Sequence, residues 1–148
     1  MSPSITQFVI NNWYLFVAMG VVLALLLAGP ITQLMHGIKN LNPNQAILLV
    51  NRESGIFVDI SELHEYKSGH VPDSINIPLS QMVQQLQLLE KYKAKPVIVV
   101  CRTGNRSVRA AARLRKYGFG AVYTLGGGMA SWQRENLPVE RDVTAPGK

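Results

Sequence analysis

Val97-Ile98-Val99-Val100-Cys101-Arg102-Thr103-Gly104-Asn105-Arg106-Ser107 runs straight into Val108-Arg109-Ala110-Ala111-Ala112-Arg113-Leu114. The first four residues are β-branched and bounded by Pro96, the pattern of a short buried strand. A polar loop with a glycine follows, and a helical pattern begins near Ser107. The single cysteine of the chain therefore stands at the carboxyl end of a strand and faces the amino end of a helix. Open α/β sheets place their chemistry at this point. Free N–H groups and the helix dipole there stabilise an anion, and Arg102 and Arg106 add two cations. A lone cysteine after an apolar strand is ordinarily a small core residue. A core residue does not need a doubly cationic, glycine-containing loop after it, so the reactive thiolate is the preferred reading of Cys101.

The strands and helices outside this stretch alternate. Asn42 and Pro43 mark a helix start, with the helix over 45–51. A strand over 56–60 ends near Asp59, and Ser61 is placed to cap a short helix over 62–67 that stops at Gly69. A strand is expected over 74–77, and a helix capped by Ser80 over 81–92, with Met82, Leu86 and Leu89 at core spacing. The central strand covers 96–100, the helix after the loop 107–117, and the last strand 121–125. Gly126-Gly127-Gly128 leads into a short helix carrying Trp132. This alternation predicts an α/β fold with a mainly parallel sheet and helices on both faces.

The chain has 148 residues, of which 47% are hydrophobic, and its mean hydropathy is +0.10. The apolar excess lies at one end: Met1 to Ile38 contains no Asp, Glu, Lys or Arg. The run Trp13–Gly29, extended by Ile31, approaches the ~20 apolar residues that a membrane span needs. A cleaved signal peptide would carry a basic start and a small-x-small site; Met1–Asn12 has no basic residue, and Leu27-Ala28-Gly29-Pro30 is a poor site. The expectation is a retained anchor: residues 1–12 a short tail, 13–38 one transmembrane helix and its connector, 39–142 a folded domain, and 143–148 a flexible tail. The basic flank at Lys39 sets the N-terminus outside and the domain in the cytoplasm. That compartment suits one unpaired thiol. Gly20, Ala24 and Ala28 form a small-residue stripe that could seat a membrane-protein partner, although such residues are simply common in spans.

The net charge is +6. No acid occurs between Glu90 and Glu135, an interval that holds Arg102, Arg106, Arg109, Arg113 and Lys116. Helical spacing gathers several of these cations onto one face beside the thiol. The expected partners are a small anion and membrane lipid, not nucleic acid, for which no motif is present. His36, His64 and His70 lack metal-ligand spacing with the cysteine, and no metal or cofactor is expected.

From about Leu41 to Val139 the chain resembles a single rhodanese-like domain. The resemblance rests on Phe57-Val58-Asp59-Ile60-Ser61; on Glu62-x-x-Glu65-Tyr66-x-x-Gly69-His70-Val71-Pro72 followed by Ser74-Ile75-Asn76-Ile77-Pro78; on Val97–Ser107; and on Leu125-Gly-Gly-Gly128 with Trp132. With the apolar N-terminal run, the chain is similar to small membrane-anchored bacterial members of that family. The resemblance implies a three-layer domain around a five-stranded parallel sheet ordered 1-5-4-2-3. It also implies sulfurtransferase chemistry, in which Cys101 takes a sulfane sulfur from a donor such as thiosulfate and passes it as a persulfide to a thiol or cyanide. Arg102, Thr103, Gly104, Asn105 and Arg106 would form the substrate-binding loop. Ser61 stands where the family often has Arg, and Asp73 where it commonly has Gly. Asp59, Glu65 and His70 are read as holding the fold. A cysteine phosphatase would need an arginine six positions after the cysteine, and position 107 is Ser. The remaining alternative is a rhodanese-fold interaction or sulfur-relay module that binds a membrane partner with little turnover of its own.

Overall fold

The computed structural model describes the backbone of residues 4–35 and 37–142, with side chains described outside 29–36. The chain divides into two compact units, residues 1–37 and 38–148; the tail expected at 143–148 lies outside the described residues.

The first unit holds α1 (Ile5–Asn11) and α2 (Trp13–Met35). The short tail expected over 1–12 is thus largely helical. Asn12 ends α1: its side-chain amide donates to Phe8 O at 2.8 Å, and its backbone leaves the helical region at φ −119°. An Asn side chain that competes for backbone partners breaks a helix in this way. Among the described residues no single helix is long and apolar enough to cross a membrane alone; α1 and Trp13–Ala28 pass together, bent by 71°. The bend lies at Asn12, before the start of the expected span, and α2 runs unbroken from Trp13 within this pair. The pair's large apolar side chains, from Ile5 to Leu27, are exposed.

The second unit is built on a five-stranded, wholly parallel sheet in the order β1-β5-β4-β2-β3, as the resemblance implied. The strands are β1 (Lys39–Leu41), β2 (Ile56–Asp59), β3 (Ile75–Asn76), β4 (Val97–Val100) and β5 (Val122–Leu125). β4 is central and fully buried. Alternation along it sends Val97, Val99 and Cys101 to one core and Ile98 and Val100 to the other. The first core is closed by Ala110, Ala111 and Leu114 of α6 (Asn105–Lys116) and by Met82, Leu86 and Leu89. The second is closed by Ala46 of α3 (Pro43–Glu53) and by Met129 and Trp132 of α7 (Gly128–Arg134). Two buried faces make three layers.

Local departures from the expected elements have identifiable causes. Lys39–Leu41, where no strand was expected, is the edge strand β1; its register pairs Asn40 with Thr124 and Leu41 with Leu125. α3 starts as expected, with Asn42 accepting from Gln45 N at 2.8 Å and Gln45 Oε1 accepting from Asn42 N at 3.0 Å. Ser61 does not cap α4 (Leu63–Ser68); Glu62 occupies that position, and its amide donates to Glu65 Oε2 at 2.9 Å. The helix expected over 81–92 is only α5 (Met82–Gln85) between two 3-10 turns, Leu79–Gln81 and Leu86–Tyr92. The apolar residues Leu86, Leu89 and Tyr92 recur every three positions, the period of a 3-10 helix. Ser80 caps nothing and donates to Glu62 Oε1 at 2.9 Å.

Candidate active site

β4 delivers Cys101 to the carboxyl edge of the sheet, where the chain turns through Arg102, Thr103 and Gly104. α6 begins at Asn105, two residues earlier than the sequence pattern suggests, and Gly104 makes the turn possible with φ +94°. The earlier start brings Ser107 into the first turn, where its hydroxyl folds back and donates to Gly104 O at 2.8 Å. Cys101 is buried with no exposed surface. Its sulfur nevertheless has polar neighbours: Gly104 N–H donates to Sγ at 2.9 Å, and Ser107 Oγ lies 3.6 Å away. Ser107 was missed in the sequence because nothing in the pattern showed which way its hydroxyl would face.

The loop is held from behind by α7. Met129 N–H donates to Cys101 O at 2.9 Å and Ala130 N–H to Arg102 O at 3.1 Å. The glycine turn before α7 is what permits this approach: Gly127 and Gly128 both have positive φ, and a side chain at Gly128 would collide with Cys101 O and the Arg102 carbonyl.

The two loop arginines are not free cations. Arg106 grips Glu65 of α4 through both terminal nitrogens, each at 2.9 Å. Arg102 Nε lies 4.0 Å from the same carboxylate, and Arg102 donates to Ser68 Oγ at 3.2 Å. The Arg106 hydrogen bonds hold the Glu65 carboxyl down at about 2, against the opposing cost of its burial. The same bonds raise Arg106 further above its ordinary value. Thr103 and Asn105 are exposed. Arg109, Arg113 and Lys116 are exposed on α6, as the expected basic face requires.

Asp59 and His70 lie in the framework beside the loop. Asp59 is buried at the end of β2; Oδ1 accepts from Ser61 N at 2.9 Å, while Oδ2 has no partner among the described residues. Burial raises its pKa despite the Ser61 bonds and the nearby His70. His70 stacks on Tyr66 with ring centres 3.7 Å apart, and its Nδ1 meets Tyr66 O at 2.8 Å. Its backbone exchanges two hydrogen bonds with Glu140 and so ties down the segment after α7. Among the described residues no group of His, Cys, Asp and Glu could hold a metal ion.

This arrangement offers one nucleophilic sulfur, an amide aimed at it, and a rim of paired charges. The family model for the rhodanese-like domain matches residues 30–135. The protein YibN of Escherichia coli K12, itself uncharacterised, is 35% identical over 138 residues, covering 93% of this chain and 96% of that protein. The thiosulfate sulfurtransferase GlpE of Pseudomonas syringae is 36% identical over 72% of this chain and 96% of its own. Among solved structures, the rhodanese-related protein from Thermoplasma volcanium superposes with a TM-score of 0.62 at 29% identity, over 69% of this chain and 97% of that one.

Proposed function

The chain belongs to the rhodanese-like domain family, a sulfurtransferase family, and on that premise we propose that it is a membrane-anchored sulfurtransferase working through a Cys101 persulfide. The observation that carries this reading is the Gly104 amide 2.9 Å from Cys101 Sγ. An N–H aimed at sulfur steadies negative charge on it, and the thiolate is the form that attacks an S–S bond.

The reaction is a double displacement. The Cys101 thiolate attacks the outer sulfur of a donor such as thiosulfate; the donor's S–S bond breaks, and sulfite leaves with the electron pair. Cys101 then carries a persulfide. Cyanide or an acceptor thiolate attacks the terminal sulfur, and the pair in the broken S–S bond returns to Cys101 as thiolate. Cyanide leaves as thiocyanate, a thiolate as its persulfide. Cys101 is the only cysteine, so the acceptor must come from outside the chain. In this reading Arg102, Thr103, Gly104, Asn105 and Arg106 form the donor-binding loop, and no cofactor takes part.

Treatment of the full-length protein with thiosulfate should add one sulfur to the mass of the Cys101 peptide and release sulfite. Cyanide should then remove the sulfur as thiocyanate, and Cys101→Ser should do neither. A Cys101 that never gains sulfur would leave the fold as an interaction module, whereas one that gains sulfur but does not turn over would be a relay.

The proposed location is the bacterial inner membrane, with the N-terminus outside and the domain in the cytoplasm. Support comes from the uncharged stretch Met1–Ile38, from Trp13 and Tyr14 at its edge, and from Lys39 after it. The full-length protein should sediment with membranes and be released by detergent but not by salt. Release by salt alone would argue against insertion.

A further inference from the structure

We propose that Glu65 sets the charge preference of the sulfur-donor site: it neutralises Arg106 and Arg102 from behind, and an anionic donor binds there in competition with its carboxylate. The proposal rests on the sulfurtransferase reading for the identity of the anion, and on geometry for everything else.

Three positively or negatively charged side chains meet at the rim of the thiol loop. Arg106 immediately precedes Ser107, whose hydroxyl lies beside Cys101 Sγ. Both terminal nitrogens of Arg106 are engaged by Glu65 at 2.9 Å, and Arg102 Nε stands 4.0 Å from Glu65 Oε1. The two cations and one carboxylate leave a local charge of one, not two. Exposure falls in the order Arg102 (50%), Arg106 (37%), Glu65 (20%). The guanidinium groups are thus more open to solvent than the carboxylate, so an anion arriving from solvent meets them first. Glu65 is itself fixed, because its Oε2 also accepts the Glu62 amide at 2.9 Å. Its carboxyl is held down at about 2, so it stays ionised throughout the physiological range. A fixed negative charge behind two cations weakens the binding of every anion. Coulomb energy scales with the ligand's charge, so a dianion suffers twice the free-energy penalty of a monoanion.

Replacing Glu65 with Gln keeps acceptor and shape but removes the charge. At low ionic strength Glu65→Gln should tighten a dianion about tenfold and a monoanion about threefold, since half the free energy is the square root of the factor. The measurement uses full-length Cys101→Ser protein in detergent, with and without Glu65→Gln. Titration calorimetry compares thiosulfate, a dianion, with methanethiosulfonate, a monoanion carrying the same sulfane sulfur. Unequal factors in that order support the proposal. Equal factors, weaker binding of both, or no binding of thiosulfate to either protein would overturn it. Should Glu65→Gln fail to fold, magnetic resonance of the Cys101→Ser protein decides. Thiosulfate should then shift the Glu65 carboxyl carbon and the Arg106 Nε–H with one common midpoint, and an unmoved Glu65 signal overturns the competition. The sulfurtransferase reading is judged separately, by the gain of one sulfur on Cys101 in the otherwise unchanged chain.

Discussion

The amide of Met129 donates to the carbonyl oxygen of Cys101 across 2.9 Å. The peptide that follows Cys101 is thus oriented by α7, an element on the other face of the sheet from α6. Ala130 treats Arg102 in the same way. With two successive carbonyls turned toward α7, the chain beyond them curls back, and the Gly104 amide points at the sulfur. The thiol loop is shaped from behind, and the glycine turn before α7 controls how closely that support approaches.

Gly128→Ala tests this support. A methyl group there would strike Cys101 O and the Arg102 carbonyl, and the residue already has φ +56°. Backbone strain and collision together should cost about 3 kcal/mol in chemical unfolding. Sulfur labelling of Cys101 should fall even under conditions where the variant is folded. Gly120→Ala is the control: nothing lies within 4 Å of its added methyl, so it should stay within about 0.5 kcal/mol of the parent. Equal behaviour of the two variants would remove α7 from the account of the loop.

The β4 strand, the loop and α6 were legible because periodicity and burial agree there: every residue of Val97–Val100 is apolar and buried. β1 was not, because Lys39-Asn40-Leu41 has one apolar residue and sits at the sheet edge, half open to solvent. Its strand identity comes from pairing with β5, which no local pattern reports. The same limit applies to the site. Arg102 and Arg106 could be picked out as cations near the thiol, but Glu65 lies 41 positions from Arg106. Only the fold shows that the two are partners. Ser107 was hidden by a two-residue error in the start of α6, since the direction of a first-turn side chain depends on where the helix begins.

Glu65 also makes a prediction about stability. Its carboxyl drops from an ordinary 4.5 to about 2 in the folded chain. A depressed carboxyl contributes stability that is complete above the unfolded value and disappears as pH falls through the folded one. The full shift would correspond to about 3 kcal/mol, but Arg106 is more than one-third exposed, and solvent screening brings the expected contribution nearer 1 kcal/mol. The parent should therefore exceed Glu65→Gln in stability at pH 7, and the gap should close between about pH 4.5 and 2. A gap that persists unchanged to pH 2 would mean that the carboxylate charge is not its source.

Asp59 predicts the opposite slope. Burial raises its pKa above 3.8 in the folded chain, so the native state holds this proton more tightly than the unfolded chain does. Stability is then lost as pH rises through the window that starts near 3.8, and the cost stays constant above it. Asp59→Asn removes that titration and adds only a fixed, pH-independent cost for reorganising the hydrogen bond to Ser61. The stability of the variant relative to the parent should improve as pH rises above about 3.8, through the window in which native Asp59 loses its proton, and then level off. A relative stability that does not change with pH would show that the native Asp59 binds its proton no more tightly than the unfolded chain does.

The last prediction concerns Ser107, among the described residues the one side chain hydrogen-bonded to the sulfur. Its hydroxyl donates to Gly104 O at 2.8 Å and stands 3.6 Å from Cys101 Sγ. With a neutral thiol the S–H points at Ser107 Oγ. Once the thiol loses its proton, the hydroxyl can rotate and donate to sulfur instead. Ser107 thus gives the anion a second donor beside the Gly104 amide, inside a site closed to water. Removing a hydrogen bond to a charged group costs about 1.5–3 kcal/mol, and each 1.36 kcal/mol is tenfold in rate. Ser107→Ala should slow sulfur uptake from thiosulfate by at least about tenfold. Its cost in global stability should be smaller, about 1 kcal/mol, because the bonds lost from the resting fold, to Gly104 O and from the thiol, are both neutral and the second is long. Ser107→Thr retains a hydroxyl and should recover part of the rate if its extra methyl is accommodated in the buried first turn. The discriminating measurement is the rate of Cys101 alkylation by an uncharged reagent, which needs no anion-binding group. Ser107→Ala should slow alkylation along with sulfur uptake from thiosulfate. Alkylation at the parental rate combined with slower sulfur uptake would assign Ser107 to donor binding and not to the support of the thiolate.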